Sequence, residues 1–439
     1  MLANNVIVIV YTTLYRKGGH QFPAVARTLG RERGEGRGFE GEVVSRAVES
    51  KRELLQIFAD VKAAGKQISE FHFVGHSGIY GPMFGTVAFP EQFSPYEWEN
   101  MDIPFADDAS AYFHCCRSAR WFAPFFSRTF NKKAYGFFWY TTFSCSKTHF
   151  RYAGSDGAAE TLYTIGCKGR KSHGLGLSLL KFTGLLPAEQ MKVFYPTPPT
   201  GDISYNRVAE LYDHAFADIK VRRDEWEWIS GHLPKRPGLR VLDIGCGNGA
   251  LLRELSERIE YGAGIDESEA MLEKARNRTA CDANLEFVKI SSPSLPFSDR
   301  TFDVVVSLMS FRYLDWDPLL KEVRRVMKSD GRFLIVDMVT VPVKTKEYPR
   351  LIKDKLVLAV QRKTNRTFKA NLKRLVTHPD WKKMLEYNPI RSEHEMKWYL
   401  ESRFPERRME ILNLGFNARI VAFDSGPVEQ AVEVALSYP

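Results

Sequence analysis

The chain has 439 residues, 44% of them hydrophobic and 26% charged, with a formal net charge of +9. That is the make-up of a globular protein too long for one ordinary core, so two domains are expected and a disordered chain is excluded. No apolar run approaches the roughly 18–20 residues of a membrane span. The run Val6–Val10 is too short for a signal-peptide core and has no basic flank before it. Cysteines 115, 116, 145, 167, 246 and 281 form neither a disulfide framework nor a zinc spacing, which points to a reducing cytoplasm and no metal.

Residues 4–13, Asn-Asn-Val-Ile-Val-Ile-Val-Tyr-Thr-Thr, form a β-branched run expected as a central parallel strand. Residues 30–41 intersperse Gly with Arg and Glu and read as a polar loop, without the Lys-Ser/Thr ending of a P-loop. Glu42–Ser45 reads as a short strand. Leu54, Leu55, Phe58, Val61 and Ala64 recur at helical spacing from Lys51 onward, and Gly65 stops that helix. Ile68–Val74 is a strand entering a glycine turn, Gly75-His-Ser-Gly78, with His76 at its tip. Ala109–Cys116 repeats the pattern, a strand ending at Cys115-Cys116 before a helix over Ala119–Phe130. Ala134–Phe143 is predicted as one further apolar strand and Leu175–Phe182 as a short helix. Phe194-Tyr-Pro-Thr-Pro-Pro-Thr-Gly201 is a proline-rich linker, which places the domain boundary within 191–203.

A thiol nucleophile needs a histidine to manage protons and backbone N–H groups for an oxyanion, all at one sheet edge. The order strand–helix–strand–His-Ser-Gly, then strand–Cys-Arg-Ser–helix, over residues 4–145, resembles the caspase-like cysteine peptidases, the clan that includes the CHAT domains. The resemblance implies a caspase-like α/β domain over residues 1–190, with His76 and Cys116 as its pair. Ser77 stands where the family usually has Gly directly after its histidine, and Cys115 precedes Cys116. These departures suit a regulatory or inactive domain.

Past the linker, Tyr205–Asp213 has helical period. Arg240-Val-Leu-Asp-Ile-Gly-Cys-Gly-Asn-Gly249 reads as a strand, a glycine turn and the start of a helix. Gly245, Gly247 and Gly249 let the backbone turn sharply and come close to a ligand at a helix N-terminus. Asp243 puts a carboxylate at the strand's C-terminal end, where open α/β sheets bind ligands. Tyr261–Asp266 is a second strand ending in an acid, 21 residues after Gly245. Leu295–Phe297, Phe302–Val306 and Gly331–Val336 are expected as further strands, and Met409–Phe423 as two closing antiparallel strands around a Gly-Phe-Asn turn. Ser392 with Glu395 forms a capping-box pattern.

In this order the motifs resemble the class I S-adenosylmethionine-dependent methyltransferases, most closely the ubiquinone-biosynthesis-type small-molecule enzymes. The resemblance implies a Rossmann-like seven-stranded domain over residues 204–439. Gly245, Gly247 and Gly249 would lie under the cofactor, Asp243 would meet its methionine ammonium, and Asp266 its ribose hydroxyls. Ser291 stands where relatives often carry an Asp for the adenine, and Ser307 would face the sulfonium. Tyr205–Asp213 corresponds to the helix that caps the cofactor. Relatives often show a histidine near Phe311-Arg-Tyr313; this chain has Arg312, suited to anchoring a substrate anion. His214, Tyr313 and Asp337 are the remaining candidates for handling a proton.

Between Lys344 and Arg374 eleven Lys/Arg stand against Glu347 and Asp354, within a basic helical insertion at about 343–385. Such a face either lies solvated over the substrate site or touches an anionic surface. The expected protein is thus a cytoplasmic two-domain enzyme that methylates a small molecule, with no nucleic-acid partner. The alternative is a Cys116/His76 peptidase whose second half senses the cofactor. The acceptor and the oligomeric state stay open.

Overall fold

The computed structural model describes residues 4–16, 18–151, 161–169, 179–181, 183–198 and 205–427. Residues 175–178 and 182 of the expected short helix, and 199–201 of the linker, lie outside these. The chain divides into two compact units, Met1–Pro198 and Pro199–Ser437.

The first unit is built on a six-stranded sheet: β1 (Asn5–Tyr11), β2 (Glu42–Ala47), β3 (Gln67–Val74), β4 (Phe105–His114), β5 (Lys133–Gly136) and β6 (Lys192–Phe194). Its spatial order is β6-β5-β4-β3-β1-β2, parallel except for β6, which runs antiparallel to β5. Residues 6–10 are buried throughout, as a β-branched run covered on both faces should be. Val6, Val8 and Val10 join one core with the helix Lys51–Ala63 and the helix Phe122–Phe130. Ile7 and Ile9 join the other, under the helix Phe22–Arg33. That last helix takes up the start of the expected polar loop. Its signal is Phe22, Val25, Ala26 and Leu29 at helical spacing, with Pro23 in the first turn.

The expected strand 134–143 is divided between two sheets. Lys133–Gly136 stays in the main sheet, while Tyr140–Ser144 pairs antiparallel with Tyr163–Cys167 in a three-stranded sheet. Between them the carbonyls of Phe137 and Trp139 accept from the N–H groups of Ala119 (3.0 Å) and Arg117 (2.9 Å). That turn diverts the backbone hydrogen bonds that would have continued the ladder.

The second unit carries β7 (Arg240–Ile244), β8 (Tyr261–Asp266), β9 (Leu285–Lys289), β10 (Phe302–Leu308), β11 (Met327–Thr340), β12 (Glu410–Leu414) and β13 (Ala418–Pro427). The order is β9-β8-β7-β10-β11-β13-β12, with β13 antiparallel to both neighbours. Strand order reverses between β7 and β10, which opens a crevice at their C-terminal ends. Leu295–Phe297 is no strand. Leu295 N–H donates to Glu322 (2.9 Å), and the Leu295 and Phe297 carbonyls accept from Arg325 (2.8 Å each). The edge strand is instead Leu285–Lys289.

Tyr205–Val208 is a single 3-10 turn before the helix Ala209–Phe216. The insertion forms three helices, Tyr348–Thr364, Arg366–Thr377 and Pro379–Tyr387. Leu375 of the second is fully buried with Val208 and Ala215, so the insertion packs on the 205–216 segment. Ser392 and Glu395 form the expected capping box.

Candidate active site

Register in the second sheet aligns Asp243 with Gly264 on one side and Val306 on the other. The glycine turn folds back across β8: the N–H groups of Gly245 and Cys246 both donate to the Ile265 carbonyl, at 2.8 and 3.0 Å. Gly245, Gly247 and Gly249 all adopt positive φ, of 73°, 53° and 71°. A side chain at Gly245 would also run into Ser310, and one at Gly249 into Ala275 and Phe287 at 2.9–3.0 Å.

Asp266 accepts from Gly247 N–H and Ser268 N–H, each at 2.9 Å. Each carboxylate oxygen has a second lone pair, so the group can still accept from a ligand. Burial raises its pKa, against the backbone donors that favour the charged form. Asp243 is buried, and its Oδ1 has no hydrogen-bond partner. Burial, followed by the nearby Asp266 charge, pushes its carboxyl up to about 8. A buried orphan acceptor beside a second acid suits a cationic ligand group, which would satisfy the oxygen and favour its ionised form.

Two asparagines complete the frame. Asn248 donates to Asp213 (2.9 Å) and to the Phe216 carbonyl (3.2 Å), while Arg278 holds the other oxygen of Asp213 (2.6 Å). Asn206 accepts from Ser268 Oγ (2.7 Å) and Ala270 N–H (3.3 Å). The 205–216 segment is thereby tied to the glycine turn and to the helix Glu269–Arg278. Asn248 stands inside the glycine motif, the one local signal that could have found it; Asn206 and Arg278 carry none.

The other expected residues are placed differently from one another. Ser307 is fully buried and shares a 2.7 Å hydrogen bond with Ser310, whose hydroxyl donates to the Ile244 carbonyl (2.6 Å). It therefore braces the loop from behind. Ser291 is exposed just beyond β9. Arg312 is buried and ion-paired with Asp337, which also accepts from Arg312 N–H and Met338 N–H, both at 2.6 Å. Burial opposes the Arg312 charge most strongly, but Asp337, Tyr313 and Tyr205 together outweigh it and hold the guanidinium protonated. This pairing, and not a substrate anion, is what the core offers Arg312. His214 is exposed and pairs with Glu210 at 3.1 Å. Tyr313 faces Tyr205 at 6.2 Å between ring centroids, and Tyr205 also meets Tyr212 (5.9 Å) and Trp381 (6.0 Å). Burial, then Tyr313 beside it, drives the Tyr205 phenol well above its usual range.

In the first unit, Val74 and His114 are register partners on adjacent parallel strands. His76 and Cys116, each two residues on, thus leave the same sheet edge. Ser77 Oγ donates to the Cys116 carbonyl. His76 packs edge-on against Tyr15 and Phe22, with centroids at 5.7 and 5.3 Å. Cys116 Sγ accepts from Thr141 N–H (3.3 Å) and lies 3.2 Å from its hydroxyl. Cys115 is fully buried, and burial pushes its thiol up to about 12. Alkylation of the folded protein by iodoacetamide, read by peptide mass spectrometry, should therefore modify half-buried Cys116 and spare Cys115.

Residues 242–335 match the family described as methyltransferase domain. The chain is 32% identical over 142 residues to a demethylmenaquinone methyltransferase of Clavibacter sepedonicus, covering 32% of this chain and 58% of that protein. It is 29% identical over 167 residues to a 27-O-demethylrifamycin SV methyltransferase of Amycolatopsis mediterranei, covering 34% and 61%. The chain thus spans little more than half the length of these relatives. A putative S-adenosyl-L-methionine-dependent methyltransferase of Methanococcus maripaludis aligns at 19% identity with a TM-score of 0.35, over 52% of this chain and 95% of that one.

Proposed function

We propose that this chain, which carries a methyltransferase domain with S-adenosylmethionine as its cofactor, transfers the methyl group to a small-molecule acceptor. The observation that carries the reading is the buried, unpartnered oxygen of Asp243, which feels the Asp266 charge and stands two residues before the glycine turn. Asp243 and Asp266 would hold the ligand's ammonium and its ribose hydroxyls. The cofactor supplies a sulfonium-bound methyl group, an electrophile that a positioned nucleophile displaces in line.

The aromatic group Tyr205, Tyr212, Tyr313 and Trp381 would receive and orient the acceptor and exclude water. With Tyr205 held neutral, His214 turned to Glu210 and Asp337 committed to Arg312, these residues supply no evident base. The reading thus favours an acceptor already nucleophilic at neutral pH, such as an ionised phenol or enol. Relatives named for demethylmenaquinone and a demethylrifamycin support a small-molecule acceptor. On the insertion, Tyr348, Ile352 and Leu356 recur every four residues and are exposed among lysines, a pattern that supports contact with an anionic surface.

The first unit we read as a caspase-like domain with a regulatory or inactive role. What supports this is the shared strand edge of His76 and Cys116; the peptidase alternative has no further support.

Calorimetry of the full chain against pH tests the main reading. The ligand-free Asp243 carboxyl titrates near 8 and a bound ammonium would lower that value, so binding below pH 8 must release a proton. Affinity should accordingly rise with pH toward about 8 and fall again where the ligand's own ammonium loses its proton. The same raised value makes Asp243 a stability term of the ligand-free protein, present at low pH and lost as pH rises through 8. Asp243→Asn should bind more weakly and remove that part of the pH dependence. A folded protein that binds neither S-adenosylmethionine nor S-adenosylhomocysteine would refute the proposal.

A further inference from the structure

The sheet face beneath the helix Phe22–Arg33 changes character from strand to strand. On β1 it consists of Ile7 and Ile9, packed with Val25 and Leu29. Across β3, β4 and β5 the same face carries Glu70, His72, Tyr112, His114 and Tyr135. The reverse face of those strands is apolar, with Phe71, Phe73, Ala111, Phe113 and Ala134 all buried. Register sets His72 beside Tyr112 and Tyr112 beside Tyr135, and both pairs stack with centroids 4.5 Å apart.

Burying imidazoles and a carboxylate is costly unless each finds a partner. Here they form one chain. His72 Nε2 lies 2.9 Å from the Glu70 carboxylate, which can only accept, so this nitrogen donates. His72 Nδ1 is then free to accept from His114 Nε2 at 3.1 Å, and His114 Nδ1 from Thr164 Oγ1 at 3.3 Å. Burial lowers the pKa of both histidines, consistent with neutral rings. Arg33 and Arg37 reach Glu70 at 3.2 and 3.1 Å, and Arg33 also lies over the Tyr112 ring at 4.7 Å.

The chain ends at a cavity of about 600 Å³. This is the size of a small-molecule site, typically about 300–1,000 Å³. His114 and Thr164 line it with the rings of Tyr112, Tyr135 and Phe137, and Val25 and Ile165 add apolar wall. Arg33, Arg37 and Lys147 also line it; Glu32 pairs with Lys147 at 2.7 Å and Glu70 behind the wall with both arginines, so among the described residues three cations face two carboxylates. The edges of these stacked rings suit the face of a planar ring, and the one positive charge left over suits an anion.

We propose that this cavity binds a small planar molecule bearing an anionic group, either a nucleoside monophosphate or an aromatic carboxylate. The ring meets the edges of the stacked Tyr112 and Tyr135, the anion meets Arg37 and Lys147, and the Thr164 hydroxyl, its proton given to His114, accepts from a polar edge of the ring. The site belongs to the first unit alone and does not rest on the methyltransferase reading.

Titration calorimetry of the full-length protein tests it with two probes, adenosine monophosphate and 4-hydroxybenzoate, with S-adenosylhomocysteine present to occupy the glycine-turn site. Arg37 and Lys147 side chains are 58% and 57% exposed, so Arg37→Gln/Lys147→Gln should fold normally. Saturable binding of either probe is expected, weakened roughly tenfold or more in that double variant as charge-assisted hydrogen bonds are lost. Met191→Trp, which fills the half-buried rim without removing charge, should weaken it too. Binding of adenosine monophosphate alone marks a nucleotide site, and of 4-hydroxybenzoate alone an aromatic-acid site. Failure of both probes to bind the folded protein, or binding that both variants leave unchanged, overturns the proposal.

Discussion

Asp337→Ala should destabilise the second unit by about 3–5 kcal/mol, the cost of stranding a buried charge. Asp337 is fully buried and accepts from the Arg312 guanidinium, from Arg312 N–H and from Met338 N–H. Truncation leaves the Arg312 charge and two backbone donors without their acceptor. Arg312 cannot turn out to water: its guanidinium lies over Tyr313 at 4.5 Å, and its carbonyl accepts from Arg391 Nε at 3.3 Å. Denaturant melts should show a lower midpoint at unchanged slope. Asp337→Leu combined with Arg312→Met should recover most of the loss, because removing both charges leaves nothing to strand. A loss below about 1 kcal/mol for Asp337→Ala would mean that water reaches the pair.

Asp266→Ala should weaken S-adenosylmethionine binding on the order of ten- to several-hundred-fold, since each hydrogen bond to a charged group contributes roughly 1.5–3 kcal/mol. The structure adds a second cause. Asp266 also accepts from Gly247 N–H, so its removal frees the backbone of the turn itself. Asp266→Asn keeps one acceptor oxygen and should fall between wild type and Ala. Thermal melting without ligand separates the two causes, because loosening of the turn lowers the melting temperature and loss of a ligand contact does not. Unchanged affinity in Asp266→Ala would move the ribose contact elsewhere.

Much of the second unit is legible in sequence because its signals are local. β7 and β8 are short apolar runs, each ending in an acid at or just before a turn, and the glycine turn needs positive φ within five residues. The capping box needs only Ser392 and Glu395. The edge strand Leu285–Lys289 is harder to read, since an edge strand half covered by neighbours carries only a weak alternation. Leu295–Phe297 looks apolar enough for a strand, yet its backbone groups are taken by Glu322 and Arg325 from a helix some thirty residues on.

What the sequence by itself determined is therefore the periodic elements, the glycine turn and the two acids beside it, since chain geometry alone brings these together. Only the tertiary structure decided which polar groups remain available to a ligand. Arg312 and Asp337 stand 25 residues apart and cancel each other, while Asp243 is left with an unpartnered oxygen. The chain from Glu70 through His72 and His114 to Thr164 spans three segments, and only the register of β3 and β4, with the second sheet packed across them, brings it together. Periodicity tells which face a side chain takes. What lies across that face depends on pairings between distant segments, and burial then sets whether a charge there is paired, neutral or waiting for a ligand.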